Sequence, residues 1–492
     1  MVAELKDAKG SVLIYSIVAC PRCMKAKNRL TELGIPYKEV SLDNFPQCRE
    51  EMEARTNGKT SLPQIFFNEI HIGGVEELDE LISDKARFEE MVQVLQTNEA
   101  PAEAPVAPQA QTEADYDTDD GQLGGEPDEY SRLVRDMKKA NLIKDHRVGL
   151  IKTHKNAFKG QDLIDWLIKA KKIDRKHALE MGQELIDRNF GQETSNKGGD
   201  TFSPDRYYQL LEDDETLALN AGTPAETTPL RPGELSDTLR RLIQCVYDNN
   251  VSKDGKTVDY EAIAEDEDFE RYVALSKELQ RVDFTLSTRE EKIALFINVY
   301  NALVVHASVK VGPPTNMWQR WKFFNTVHYL VGSYLFSLHA MENGVLRANR
   351  KGVGKMWRPF AKNDERLKIV LEEPEPLIHF ALNKGTKGSP PINTYSAKGL
   401  NDELKAAAES FLESDEGVKI DSGKKTVSIS KLFKWYADDF GGSADKALEW
   451  IMERMPAGDK KNQLTKLFIE GQYSIEFLNF DWAPNGKEKE AK

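Results

Sequence analysis

Between residues 97 and 129 the chain places ten Asp and Glu, no Lys or Arg, and almost no large apolar side chain. Such a stretch has too little surface to bury to offset the entropy of ordering it, so it reads as a disordered acidic linker. It therefore forces the 492 residues to fold as separate modules on either side, and about three domains are expected for this length. A second linker, rich in Pro and Thr, is read at 212–234, and residues 483–492 read as a polar tail. The expected modules are 10–96, 130–211 and 235–482.

The formal charge of −14 is unevenly spread. Residues 97–129 contribute −10, whereas 130–211 hold 17 basic and 11 acidic residues, a net of +6. An acidic average thus hides a basic module, and the average says little about partners. Four cysteines are too few for a disulfide-stapled secreted fold. Met1–Gly10 lacks the apolar centre of a secretory signal, and no run of about 20 consecutive apolar residues is evident. A cytoplasmic chain is expected, with peripheral attachment to membranes as a second option.

Residues 10–96 alternate strand and helix patterns. Ser11–Tyr15, Tyr37–Leu42 and the pair Gln64–Phe67 with His71–Ile72 read as strands; 21–33, 46–55 and the region after Gly74 read as helices. A β-α-β-α-β-β-α order in so short a segment is a compact α/β domain. Cys20-Pro21-Arg22-Cys23 falls where the first strand meets the first helix. A helix N-terminus presents free N–H groups and partial positive charge, which stabilise a thiolate. Arg22, Lys25 and Lys27 add positive charge, so Cys20 is expected to ionise more readily than a free thiol. Two intervening residues let Cys23 reach back and resolve a mixed disulfide. A zinc half-site would need two more ligands, and this module offers only Cys48 and His71 without regular spacing, so no metal is expected. Cys48 reads as a bystander, with a regulatory thiol as the alternative.

The segment resembles the glutaredoxin family, of thioredoxin-like α/β fold. The resemblance rests on Cys20-Pro21-Arg22-Cys23, Ser61-Leu62-Pro63-Gln64-Ile65-Phe66 and Gly73-Gly74-Val75-Glu76-Glu77-Leu78, in that order and spacing. It implies dithiol–disulfide exchange with glutathione, Cys20 attacking and Cys23 resolving. It also implies a cis bond before Pro63, glutathione main-chain pairing at Leu62 and Pro63, and its γ-glutamyl end at Gly74, Val75 and Glu76. The family usually has an aromatic residue at the position of Arg22 and a Lys at that of Ile17. Losing that Lys is expected to weaken glutathione binding, with Arg22 or Lys25 as the substitute contact. Glutathione and disulfide-bonded or glutathionylated proteins are the implied partners.

Residues 130–211 read as helices near 130–140, 159–170 and 174–189, closed by a β-arm at 201–211. Phe158-Lys159-Gly160-Gln161-Asp162-Leu163-Ile164-Asp165-Trp166-Leu167 and the Phe202, Tyr207, Tyr208 end resemble the DEP domain, a small, mainly helical, winged-helix-like module. Leu163, Ile164, Trp166 and Leu167 read as core. The family implies docking to membranes or signalling proteins. Lys138, Lys139, Lys144, Arg147, Lys152, Lys155 and Lys159 gather around the first loops and suit either an anionic membrane surface or plain solvation. Few aromatics interleave with them, so nucleic acid is not expected.

Residues 235–482 read as a large, mainly α (α+β) domain. Six of the seven tryptophans fall here and suggest a sizeable core. Phe296–His306, Phe336–Arg347 and Ile378–Pro391 resemble the family called domain of unknown function 547. Asn298, Asn301, His306, Glu342, Arg347 and His379 are polar groups within apolar runs. They form either a site, with Ser389, or a buried network that fixes the fold. Relatives usually carry cysteines where Ser389 and Lys384 stand. A Ser389–His379 hydrolase lacks a nucleophile-elbow glycine pattern. Cys245 reads as core. The whole is then a glutathione-dependent oxidoreductase targeted or regulated by a DEP domain. One alternative is a redox-sensing adaptor. Another is hydrolase or transferase activity in the last domain.

Overall fold

The strand Val12–Ser16 (β1) is buried along its whole length, as an inner strand with helices on both faces must be. It pairs in parallel with Lys38–Ser41 (β2) and antiparallel with Gln64–Phe67 (β3), and Ile70–Gly73 (β4) closes the order β2-β1-β3-β4. The strand's two-residue period sorts its side chains. Val12 and Ile14 face a core shared with Pro21–Glu32 (α1), whereas Leu13 and Tyr15 pack on Met52 of Cys48–Arg55 (α2). Val75–Ser83 (α3) and Lys85–Thr97 (α4) complete the first face. The final helical region is thus two helices, split where Asp84 caps α4 by accepting from the Arg87 amide.

This computed structural model describes residues 9–17, 20–42, 45, 47–107, 129–148, 152–188, 190–194, 201–210, 218–224, 230–285, 287–471 and 473–487. They form two compact units, one up to Glu129 and the other from Tyr130 onward. Most of the expected acidic linker lies outside the described residues, but its start does not behave as a linker. Ala104 is buried, Ala107 packs beside Leu13 and Tyr15, and Arg55 Nη1 donates to the Glu103 carbonyl at 2.7 Å. Proline and alanine supply just enough apolar surface there to dock on the first domain.

The second unit begins with Glu129–Lys139 (α5), then Lys144–Val148 (β5), Lys152–Lys159 (β6), Gly160–Lys171 (α6), Arg175–Asp187 (α7), Gly191–Glu193 (β7) and Tyr207–Leu210 (β8). These strands form an antiparallel sheet in the order β5-β6-β8-β7. The basic segments read as loops are therefore a hairpin. Their lysines hid the strand pattern, since a strand of an antiparallel sheet with one solvated face tolerates charge. Leu163, Ile164 and Leu167 are buried as expected, and Trp166 packs against them half-buried. Gly160 admits no side chain, because a Cβ there would lie 2.3 Å from the Ser203 carbonyl oxygen.

The rest of the unit contains Pro232–Asn250 (α8), Tyr260–Ala264 (α9), Glu267–Ser276 (α10), Arg289–Val311 (α11) and Met317–Thr326 (α12). The hairpin His328–Val331 (β9) and Tyr334–Ser337 (β10) leads into a π-helix, Ala340–Leu346. Leu400–Glu413 (α13), Val418–Asp421 (β11), Thr426–Ile429 (β12), Leu432–Trp435 (α14), Ala444–Arg454 (α15), Asp459–Glu470 (α16) and Ser474–Phe477 (β13) follow, with β13 parallel to β12. Helix α11 starts in a capping box, with Thr288 and Glu291 each bonding the other's amide. It is long and apolar enough to cross a bilayer, yet 89% of its apolar window is buried inside this domain.

Four expectations change here. Residues 218–222, assigned to a linker, belong to the domain: Asn220 is fully buried and its side chain bonds the Ser276 carbonyl and both polar groups of Leu330. The start of the expected tail is also bound in, as Asn485 accepts from the Tyr260 hydroxyl at 2.7 Å and the Lys487 amide bonds Val258. Cys245 is exposed, on the outer face of α8. Trp318, Trp321 and Trp357 are exposed as well, so the tryptophan count overstated the core. Replacing Gly160 with Ala is predicted to destabilise the small helical module by about 1–3 kcal/mol through backbone overpacking, read as an earlier transition in urea.

Candidate functional site

Cys20 is the N-cap of α1, and its Sγ accepts the Cys23 amide at 3.1 Å. The helix begins there because Pro21 occupies the first helical position, where no N–H is needed. Cys20 retains a trace of exposure at 8%, while Cys23 has none. The Cys23 thiol is pushed far up, first by its hydrogen bond with Cys20 and then by burial. The pair is therefore polarised: an outer sulfur at a helix N-terminus and an inner one that keeps its proton.

The cations counted as stabilising Cys20 are each partnered. Arg22 pairs with Glu76 at 2.5 Å, Lys25 with Asp79 at 2.8 Å, and the buried Lys27 with Glu39 at 2.9 Å. Arg22 in turn holds the Glu76 carboxyl below the usual carboxylate range. Each of these cations is thus shared with an acid, and the helix terminus adds its own positive potential at Cys20.

The Leu62–Pro63 bond is cis. The Pro63 carbonyl oxygen lies 3.5 Å from where a Cβ on Gly74 would be, so the proline loop and the start of α3 lie side by side. The Gly74 amide donates to Glu77 at 2.8 Å, and Lys59 lies 3.9 Å from Glu77. Ile17, where the family usually has Lys, packs against the cluster of Leu13 and Tyr15. Cys48 begins α2, is buried, and has a thiol pushed up by burial, which fits a packed bystander.

A strand-helix-strand core, a cis-proline loop and a C-x-x-C at a helix start define a thiol–disulfide exchange domain of the thioredoxin-like class. The glutaredoxin family model matches residues 12–72. The domain found in Dishevelled, Egl-10, and Pleckstrin (DEP) matches 141–210, and the protein of unknown function DUF547 matches 284–412. A probable glutaredoxin of Synechocystis sp. is 45% identical over 69 residues, covering 14% of this chain and 78% of the relative. Glutaredoxin 3 of Escherichia coli is 41% identical over 69 residues, covering 14% of this chain and 82% of the relative. The solution structure of glutaredoxin from Brucella melitensis aligns at 32% identity over 19% of this chain and 95% of its own, with a TM-score of 0.16. Through its first domain the chain belongs to the glutaredoxin family.

The second cluster lies in the large domain. Glu342, on the π-helix, receives Lys384 Nζ at 2.8 and 2.9 Å and the Tyr436 hydroxyl at 2.5 Å. Asp439, with no side-chain exposure, accepts from Arg347 Nε at 2.5 Å and Arg350 at 2.6 Å, and bonds His379 Nε2 at 2.8 Å. The His379 ring stacks on Tyr436 with centroids 3.9 Å apart. Burial alone would push the Glu342 carboxyl up, but Lys384 and Tyr436 outweigh it and hold it at about 2. Burial pushes His379 down against the pull of Asp439. A π-helix is a rare element that concentrates at functional sites, and the next residues, Ala348 and Asn349, both have φ above +50°.

Of the expected residues, Glu342, Arg347 and His379 converge here. Asn298 instead braces the backbone of Tyr395 in both directions, and Asn301 braces Ala381 and Asn383. His306 lies apart, bonded to Tyr329 at 2.8 Å. Ser389 Oγ bonds Thr386 and the Lys384 amide, while His379 is bonded to Asp439, so no Ser–His hydrogen bond joins them in this state. Tyr436 and Asp439 were missed, since nothing in their local sequence marks them.

Two outcomes follow. Asp439→Asn leaves Arg347 buried without its counter-charge and is predicted to cost about 3–5 kcal/mol, measured by urea unfolding followed through tryptophan fluorescence. Burial lowers the His306 pKa from 6.5 to about 4. Its neutral form is native, so the stabilisation is complete above pH 6.5 and is lost as pH falls toward 4. His306→Gln is predicted to flatten this limb of the stability curve, by about 3 kcal/mol between its ends.

Proposed function

We propose that the first domain is a glutathione-dependent dithiol oxidoreductase, delivered to its substrates by the DEP module. The observation that carries this reading is the polarity of the cysteine pair. Cys20 stands at a helix terminus with the Cys23 amide on its sulfur, and Cys23 beneath it keeps its proton. In the reaction the Cys20 thiolate attacks a substrate disulfide, forming a mixed disulfide and releasing one thiolate. Cys23 then gives up its proton and attacks the Cys20 sulfur, releasing the second thiol and closing a Cys20–Cys23 disulfide. Two glutathione thiols reduce that disulfide and leave as glutathione disulfide.

Leu62 and Pro63 would pair with the glutathione main chain, and the start of α3 at Gly74, Val75 and Glu76 would face its γ-glutamyl carboxylate. Glu77 caps the Gly74 amide, so that carboxylate must displace it. Arg22, tied to Glu76, is the cation within reach of the same region. The DEP module offers exposed Lys139, Lys144, Arg147 and Lys155 to an anionic membrane or an acidic signalling partner.

A redox-sensing adaptor is the second reading. It is favoured by the pairing of Arg22, Lys25 and Lys27 with acids and by Ile17 in place of the family's usual lysine. Turnover of a glutathione mixed disulfide by the full chain separates the two. Cys20→Ser is expected to lower the rate at least about a thousandfold, while Cys23→Ser retains reduction of glutathione mixed disulfides and loses that of protein disulfides. Wild-type turnover no faster than that of Cys20→Ser would leave the adaptor.

A further inference from the structure

Helix α12 and the segment after the π-helix break the rule that large apolar side chains avoid water. Met317, Trp318 and Trp321 are 84%, 68% and 54% exposed, and Met356 and Trp357 are 75% and 81% exposed. Single exposed apolar residues are ordinary, but a group of five is not. One residue joins the two segments: Lys355 Nζ sits 5.4 Å from the centre of the Trp321 ring and 3.5 Å from Asn325 Oδ1.

The patch is held firmly. Asn316 caps α12 by accepting the Gln319 amide, and Phe323 is buried beneath it. Arg320 donates to the Trp482 carbonyl at 2.5 Å and lies over the Trp482 ring. The tryptophans are thus presented outward by a seated helix.

Along these two segments the charge is one-sided. Residues 312–326 and 347–362 contain no Asp or Glu, in a chain whose net charge is −14. Lys322, Lys351, Arg358 and Lys362 are exposed among the aromatics. Tryptophan partitions to the level of lipid headgroups, and each basic residue near an anionic leaflet adds to binding. A surface that is both apolar and positive matches a bilayer carrying anionic lipid, which supplies acyl chains and phosphates over one continuous area.

We propose that this patch docks the large domain on an anionic membrane surface, with Trp318, Trp321, Trp357, Met317 and Met356 entering the headgroup layer. The test is co-sedimentation of the full chain with phosphatidylcholine vesicles containing phosphatidylserine, against pure phosphatidylcholine. Binding is expected to the anionic vesicles and to weaken with salt. Trp318→Ala with Trp357→Ala is expected to lower it at least about tenfold. Lys322→Gln and Arg358→Gln are each expected to lower it about fivefold. These side chains are exposed, so an unchanged thermal melt confirms that the variants fold. The control is Lys144→Gln with Lys155→Gln in the DEP hairpin.

The proposal fails if the wild-type chain prefers neither vesicle. It fails equally if the tryptophan variant binds as wild type while the DEP control loses binding. A tryptophan-dependent affinity for a single-stranded oligonucleotide in place of vesicles also overturns it.

Discussion

Asp439 takes hydrogen bonds from Arg347, Arg350 and His379 at a place with no side-chain exposure, and the large domain is assembled around it. Its partners come from the end of the π-helix and from the short helix 376–380, each far from it in sequence. An isolated carboxylate in such a place would cost several kcal/mol, so the three segments must arrive together or not at all. The neighbouring Glu342 adds Lys384 and Tyr436 on the same terms. The strained backbone at Ala348 and Asn349 is held by this arrangement, with Asn349 bonding both polar groups of Phe360. Because the network satisfies itself, it reads first as a device that fixes the fold, and it leaves Ser389 and His379 each engaged elsewhere.

The first domain works by a different economy. Its dithiol places Cys20 at a helix start and Cys23, with its thiol pushed up, beneath it, and local structure supplies this arrangement. The acids that pair with Arg22, Lys25 and Lys27 tie α1 to α3 and to β2. They trade positive potential at Cys20 for a fixed relation between the dithiol and the helix that faces the proline loop. The two exposed pairs, Arg22–Glu76 and Lys25–Asp79, add little to stability, so their value lies in placement. The same chain also carries a basic hairpin in the DEP module and a tryptophan-rich patch on the large domain.

Most elements were legible because their signals are local. The β-rich run at Ser11–Tyr15 and the helical periodicity of 21–33 each act within a few residues. The basic hairpin β5–β6 was not, since lysines on a solvated face mask the strand period. Residues 218–222 looked like linker because Asn220 is polar and its partners, Ser276 and Leu330, are distant in sequence. The six tryptophans of the large domain misled for a similar reason: composition counts apolar area without saying which side of the surface it occupies.

Beyond the cis bond before Pro63, which only the family resemblance implied, the sequence by itself determined the order of modules, the dithiol at the start of α1 and the polar residues embedded in apolar runs. These follow from backbone sterics, capping and short-range periodicity, which need no knowledge of the rest of the chain. Only the tertiary structure decided which charges are paired, which of Asn298, Asn301, His306, Glu342, Arg347 and His379 meet, and which tryptophans face water. Pairing and burial depend on distances between segments as far as 225 residues apart, set by how the helices pack against one another, and no local pattern encodes them.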